Sequence, residues 1–346
     1  MARVARKIAV LMGGSSFERE FSLESGRYVT RTLEEAGHTV LPLDTTASLV
    51  ETLRSQRPEV VYIALHGKNG EDGTIQSLLE LLDIPFIGSS CDVCRQAWDK
   101  STFGHILSRY RIGASGEGNG TTAAGGGVSG PASWPAHLSL AAVAVKEMGA
   151  ANALDLVPAR IPAGYPVAVK PARGGSAMGI SKVVGPDGLA PALLDALSFD
   201  TEALVEQWID GVEVAACVVG CGDDARVLPP VEICPKQGFF DTAHRLDADL
   251  VDYYSPVRAD SLAADPESAA SARALIEAAA LEVHRAHGCR DLSRVDLVWD
   301  GVRPYVLEVN VSPGMTERSL FPIACRAAGI PFGDLLEELI EIALAR

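Results

Sequence analysis

Ser293-Arg294-Val295-Asp296-Leu297-Val298-Trp299 and, just after it, Pro304-Tyr305-Val306-Leu307-Glu308-Val309-Asn310 decide how this chain is read. Both runs are strand-like, and Asp300-Gly301 between them is a dipeptide favoured in hairpin turns. Strand side chains alternate between faces, so Val295, Leu297 and Trp299 share one face, and Tyr305, Leu307 and Val309 share one. Arg294 and Asp296 then lie together on the other face of the first strand, with Glu308 and Asn310 on that of the second. Two carboxylates, an amide oxygen and a guanidinium converge on one surface. Hard oxygens gathered in this way suit Mg²⁺, which is usually held by one or two carboxylates plus substrate phosphates. The plainer alternative is the solvated outer face of an ordinary antiparallel hairpin.

Upstream, Tyr165 to Lys170 reads as a strand ending in lysine. Pro171-Ala172-Arg173-Gly174-Gly175-Ser176-Ala177-Met178-Gly179 follows, and then the strand Ile180 to Val184. A glycine-rich turn between strands can present backbone N–H groups to phosphates. It is not a Walker loop, because no lysine and hydroxyl close it at a helix start. A plain flexible hairpin remains the alternative. Near the N-terminus, Ile8 to Met12, Thr39 to Leu43 and Val60 to Leu65 are apolar runs separated by helical spacing, with Ser22 as a candidate helix cap. This is a doubly wound pattern, in which ligands gather at the carboxyl ends of the strands. Gly13-Gly14, Glu18 and His66 all fall just past such ends. Gly13-Gly14-Ser15-Ser16 lacks the third glycine of a dinucleotide fingerprint, which argues against a nicotinamide cofactor.

The chain has 346 residues, 47% hydrophobic and 22% charged, which suggests two or three domains. No apolar run is long enough to cross a bilayer. A net charge of −15 argues against nucleic acid or an anionic membrane as partner. Seven cysteines without framework spacing fit a reducing cytoplasm. Cys91-x-x-Cys94 has no second pair to complete a zinc site and reads as packing, ahead of a helix start near Trp98. Gly113 to Gly130 is almost wholly Gly, Ala, Ser and Thr, the composition of a mobile surface insertion. Lys100 to Tyr110 and Pro266 to His287 read as helices, Arg226 to Ile233 as a strand, and Lys236 to Val257 as a polar loop. The last helices are expected from about Glu317 to Ala328 and from Phe332 to Leu344.

Taken together, these segments resemble the D-alanine–D-alanine ligase family of the ATP-grasp superfamily. The likeness runs from about Lys7 to Leu344. It is carried by Met12-Gly13-Gly14 with Glu18-Arg19-Glu20, Leu65-His66-Gly67 with Gly70-Glu71-Asp72-Gly73, Asp99-Lys100, Val169-Lys170-Pro171, Gly175-Ser176, Arg294-Val295-Asp296, and Glu308 through Thr316. It implies an α/β chain with a doubly wound N-terminal substrate domain (1–90). A two-part ATP-grasp fold would follow, its central subdomain at 91–206 with the insertion near 114–130 and its metal-bearing subdomain at 207–346.

The resemblance also implies a reaction. ATP phosphorylates the carboxylate of one D-alanine, the amine of a second attacks the acyl phosphate, and the dipeptide serves peptidoglycan precursor synthesis. Asp296, Glu308 and Asn310 would hold two Mg²⁺ or Mn²⁺ ions. Lys100 and Lys170 would contact phosphates, while Glu206, Trp208, Ile209 and Glu213 line the adenosine pocket. Arg294 and the Gly314 amide would form the oxyanion site. Glu18 would meet the first substrate's ammonium, with His66 nearby, and Ser176 would tie the lid to Glu18. Ser319 and Leu320 would receive the second carboxylate. A cytoplasmic homodimer is the expected setting.

Two departures stand out. Aligned on Phe239-Phe240-Asp241, the chain offers Arg245-Leu246 where the family usually carries a Lys-Tyr pair, and the insertion has no usual counterpart. The first leaves open a different second substrate, such as D-serine, D-lactate or a secondary-metabolite amino acid. It also leaves open a non-catalytic nucleotide-binding homologue.

Overall fold

The computed structural model describes residues 4–102, 106, 133, 137–141, 157, 161 and 163–346. The insertion near 114–130 and seven of the eleven residues of the helix expected from Lys100 to Tyr110 lie outside the described residues.

The first layer runs β1 (Lys7–Leu11), α1 (Arg19–Glu35), β2 (Thr39–Leu43), α2 (Leu49–Gln56), β3 (Val60–Ile63), α3 (Thr74–Leu81), β4 (Phe86–Ile87) and α4 (Cys91–Trp98). Its strands are parallel in the order β2-β1-β3-β4. The unbroken apolar run of β1 is explained by helices on both faces. Ile8 and Val10 pack with Val29 and Leu33 of α1, while Ala9 and Leu11 pack with Leu49, Leu53 and Leu79 of α2 and α3. This is the doubly wound sheet read from the sequence. Two local readings are corrected. Ser22 does not cap α1, which begins three residues earlier; its buried hydroxyl donates to Ala64 O (2.8 Å) and accepts Gly13 N–H (2.9 Å). It thereby ties together the ends of β1 and β3. The Cys91/Cys94 pair lies inside α4 rather than ahead of a helix start, and burial pushes the Cys94 thiol far up, so it stays a packing group.

The second layer contains β5 (His137–Ala141), β6 (Val167–Pro171), β7 (Ser181–Val183), α5 (Leu189–Phe199) and β8 (Glu202–Gln207). The strands are antiparallel in the order β5-β8-β6-β7. Lys170 pairs in register with Leu204, so Glu206, two residues on, shares its face.

The third layer contains β9 (Val212–Val219), β10 (Arg226–Val227), β11 (Val231–Pro235), α6 (Thr242–Leu246), β12 (Val251–Tyr254), α7 (Ala259–Leu262), α8 (Pro266–Ala286), β13 (Leu292–Trp299) and β14 (Pro304–Asn310). Its antiparallel order is β12-β11-β9-β13-β14, with β10 beside β9. The strand expected from Arg226 to Ile233 is thus two strands broken at Pro229-Pro230, whose prolines cannot donate to a ladder. The segment read as a polar loop holds α6 and β12. Alanines 269, 272, 279 and 280 let α8 lie close beneath β9 and β13. The opposite side of the sheet is covered by α9 (Leu320–Ala327), which starts at Leu320 rather than Glu317, and α10 (Phe332–Leu344). Phe321, Leu335, Leu339 and Ile340 are fully buried there together with Ile8 and Val10 of β1. The last helices therefore join the first and third layers; truncating a side chain such as Phe321 to alanine costs about 3–5 kcal/mol.

The opening hairpin differs from plain alternation. Asp296 pairs with Glu308 and Val295 with Val309, but Leu297 pairs with Val306, leaving Leu307 as an extra residue. The core face of β14 is therefore Val306 and Val309, not Tyr305, Leu307 and Val309. The turn is a four-residue loop, residues 300–303, closed by Asp300 Oδ1 accepting Val302 and Arg303 N–H at 2.7 Å.

Candidate active site

The bulge turns Leu307 as well as Glu308 toward a cavity of about 550 Å³ between the second and third sheets. Its lining includes Lys100, Lys170, Glu206, Trp208, Ile209 and Glu213, together with Asp296 and Glu308. Eight sequence-selected residues from the second and third layers and the segment leading into the second thus meet around one space. The Lys170 ammonium lies 2.7 Å from Glu206 Oε2 with both side chains buried. Lys100 Nζ lies 3.2 Å from Glu308 Oε2 and donates to Gly174 O at 2.5 Å. A buried pair of this kind keeps a cation in place for a ligand that brings stronger negative charge.

Asp296 is gripped by Arg294 in a two-pronged contact, Nε to Oδ1 at 2.7 Å and Nη2 to Oδ2 at 2.6 Å. Burial alone would lower the Arg294 guanidinium, yet the Asp296 carboxylate beside it holds it above its ordinary value. Asn310 pairs with Arg294 in register and borders a smaller recess shared with Lys100 and Glu308, while its Oδ1 accepts Ser312 N–H at 2.8 Å. Among the described residues no cage of three carboxylate, imidazole or thiolate ligands exists. The two facing carboxylates and one amide suit a cation that completes its shell with phosphate oxygens and water. Asp296 keeps acceptor capacity beyond its two bonds to Arg294, since a carboxylate has about four lone-pair sites.

The far wall was not singled out in the sequence. Burial opposes ionisation of Glu232, but hydrogen bonds from Arg258 Nε (3.0 Å) and Nη2 (2.7 Å) and from Ser261 Oγ (2.7 Å) pull its carboxyl down to about 2. Cys234 donates to the same carboxylate, and burial followed by that contact pushes its thiol up to about 11. Trp208 stands edge-on to Phe239 at 5.4 Å, with Lys182 Nζ 4.2 Å over its ring.

The glycine-rich turn between β6 and β7 reaches from this cavity to the first layer. Ser176 Oγ donates to Glu18 Oε1. Glu18 sits beside Gly67, whose φ of +71° favours glycine and where a Cβ would collide with that carboxylate. His66 is buried, with Nε2 3.1 Å from Ser25 Oγ and Nδ1 3.4 Å from Glu71 Oε1. Phe21 packs against the His66 ring at 4.8 Å, and a Cβ on Gly314 would come within 2.5 Å of Phe21 Cζ. Ser319 Oγ receives Thr316 N–H at 3.0 Å at the start of α9. The Leu320 side chain belongs to the core beneath, so only its backbone can face a substrate. Phe21 was also missed; its signal was its place three residues after Glu18, one turn along α1.

Comparison with known proteins follows the same pattern. The family model for the D-ala D-ala ligase C-terminus matches residues 147–341, and that for the N-terminus matches residues 47–89. The D-alanine–D-alanine ligase of Desulforudis audaxviator is 36% identical over 99% of this chain and all of its own length. That of Pelotomaculum thermopropionicum is 38% identical, covering 98% of this chain and 96% of its own. Among solved structures, the D-alanine–D-alanine ligase of Bacillus anthracis complexed with ATP superposes with a TM-score of 0.74 at 27% identity, covering 99% of this chain and 98% of its own. The VanG D-Ala:D-Ser ligase of Enterococcus faecalis gives 0.75 at 27%, covering 98% and 100%. With relatives matched end to end and the two family models falling on both the first layer and the cavity, this chain belongs to the D-alanine–D-alanine ligase family.

Proposed function

We propose that the protein joins two D-alanines at the expense of ATP, giving D-alanyl-D-alanine, ADP and phosphate for peptidoglycan precursor synthesis. The observation that carries this reading is the Asp296/Glu308 pair facing a cavity whose other walls hold Lys100 and Lys170. A carboxylate is a poor electrophile. Attack of its oxygen on the terminal phosphorus of ATP, with rupture of the bond to ADP, converts it into an acyl phosphate. The second amine then attacks the carbonyl carbon, and phosphate departs with the bonding electrons.

Each step develops negative charge that preorganised donors can stabilise. Lys100 and Lys170 neutralise phosphate oxygens, and Glu206, Trp208, Ile209 and Glu213 bind the adenosine. Asp296, Glu308 and Asn310 would hold two Mg²⁺ ions, or Mn²⁺, whose charge offsets that of the phosphates. Arg294 and the Gly314 amide stabilise the oxyanion. Glu18, close to His66, pairs with the first ammonium, while Ser319 and the Leu320 backbone at the α9 N-terminus receive the second carboxylate. The chain works in the cytoplasm as a homodimer, with domains at 1–90, 91–206 and 207–346 and the last two helices spanning the first and third. No described helix is long and apolar enough to cross a membrane.

ADP release and dipeptide formation, followed across a panel of D- and L-amino acids, test the assignment. Dipeptide from D-alanine alone is the expected result. Turnover only when D-serine or D-lactate is added would move the acceptor elsewhere, and ATP binding without turnover on any substrate would overturn the ligase reading.

A further inference from the structure

The turn between β6 and β7 is held by contacts from three separate parts of the chain. Lys100 Nζ donates to Gly174 O at 2.5 Å, Ser176 Oγ donates to Glu18, and Thr242 Oγ1 donates to Ser176 O at 3.1 Å. At the last of these anchors and just past it, Ser176 and Ala177 both carry φ of +54°, a left-handed conformation that residues with a side chain adopt only when surroundings impose it. Two of the anchors belong to groups already placed in the binding of phosphate and ammonium. The third does not.

Thr242 is the first residue of α6, and its position is set by its own cap: Asp241 Oδ1 accepts His244 N–H at 3.2 Å and lies 2.7 Å from His244 Nδ1. Three residues before Thr242, Phe239 packs edge-on against Trp208 in the cavity wall. One short segment thus touches both the nucleotide end of the cavity and the backbone of the lid. We propose that Thr242 is a positioning residue, a hydroxyl latch that couples occupancy of the nucleotide cavity to closure of the 174–179 lid. A closed lid keeps water from the acyl phosphate. Without the latch, water replaces the second amine as nucleophile, returning the free amino acid and phosphate, so that ATP is consumed without dipeptide.

The coupling part of this inference rests on the ligase reading; the latch itself does not. Thr242→Val keeps the shape and removes the hydroxyl, whereas Thr242→Ser restores a donor. A net hydrogen bond corresponds to an effect of about 2–10-fold. In Thr242→Val, phosphate released per dipeptide is expected to rise by about that factor and KM for D-alanine to rise with it, while Thr242→Ser stays near wild type. Independently of turnover, trypsin should cleave after Arg173 faster in Thr242→Val than in wild type when a non-hydrolysable ATP analogue and Mg²⁺ are present. Wild-type stoichiometry, KM and cleavage rate in Thr242→Val would overturn the latch, as would a fall in kcat alone that serine does not rescue. A wild type that makes no dipeptide, alongside a Thr242→Val lid more open to trypsin, would sink the ligase reading and leave the latch standing.

Discussion

The two sides of the cavity are built in opposite ways. Its floor is the β13–β14 hairpin, where all eight residues of β13 are buried and Asp296 faces Glu308 across a ladder locked between β9 and the helix beneath. Its roof is the 174–179 turn, where two residues with side chains adopt a left-handed backbone and a few side-chain contacts hold them. Moving parts are drawn from the least stable end of a structure, and fixed charges from the most stable. The acids must not move while charge develops, whereas the roof must open to admit ATP and two amino acids and to release dipeptide, ADP and phosphate. Floor mutations should therefore change rate at constant structure, and roof mutations should change commitment of ATP to product.

The largest expected effect breaks the floor without disturbing its packing. Glu308→Gln retains shape but removes the charge that faces Lys100 and pairs across from Asp296. Turnover should fall by about 10²–10³, the range seen when one preorganised electrostatic partner is lost. The melting temperature should barely change, because Glu308 is partly exposed at the cavity rather than in the core. Equal losses of stability and activity would make Glu308 a structural residue and erase the contrast with the roof.

A smaller effect is expected at the junction of floor and roof. Phe21 fills the space between the His66 ring and Gly314, next to Ser319; on the proposed reading it would limit the side chain that a bound amino acid can carry. Phe21→Val should raise kcat/KM for D-amino acids larger than alanine relative to D-alanine by about tenfold, since one or two methylenes in an apolar pocket are worth about 10–200-fold. Competition assays between D-alanine and D-2-aminobutyrate read this ratio directly. An unchanged ratio would move the wall of the pocket to another residue.

These predictions mark which parts of the site were legible in the chain. Alternation in Arg294-Val295-Asp296 and in Glu308-Val309-Asn310 put Asp296 opposite Glu308 and Arg294 opposite Asn310, as the register has them, because strand geometry acts between near neighbours. The bulge escaped, since one extra residue shifts register without leaving a composition signal, and it sent Leu307 to the cavity. Roof and rear wall were harder. Thr242 meets Ser176 across 66 residues and Glu232 meets Arg258 across 26, so neither pairing leaves a local pattern. Ser22 looked like a helix cap for the same reason: its real partners, Gly13 and Ala64, lie on two other strand ends.

The last effect, on stability and not on turnover, separates floor from roof by pH. His284 lies under the hairpin, with Nδ1 2.7 Å from Ser293 Oγ and Nε2 3.2 Å from Gly220 O, and His287 is buried a turn further along. Burial pushes both imidazoles down to about 4. In the unfolded chain they take up protons near their ordinary value of about 6.5. Because the folded value is the lower one, their contribution to stability is complete above about pH 6.5 and is lost as pH falls from there toward 4. The loss reaches on the order of a few kcal/mol, since each tenfold weakening of proton affinity is worth about 1.4 kcal/mol. Glu232, held down at about 2, begins to lose its own contribution only below its ordinary value of 4.5, so from pH 6.5 to 4.5 the histidines dominate, opposed by Glu277, whose carboxyl burial raises above 4.5 and whose protonation therefore favours the folded state. Urea unfolding midpoints should fall steadily across that interval, while trypsin cleavage after Arg173 in the roof, taken relative to cleavage of a small arginine substrate at the same pH, stays constant until global unfolding begins. A midpoint that holds level from pH 7 to 5 would mean that the imidazoles beneath the floor can take a proton without cost, and the floor would then be no more rigid than the roof above it.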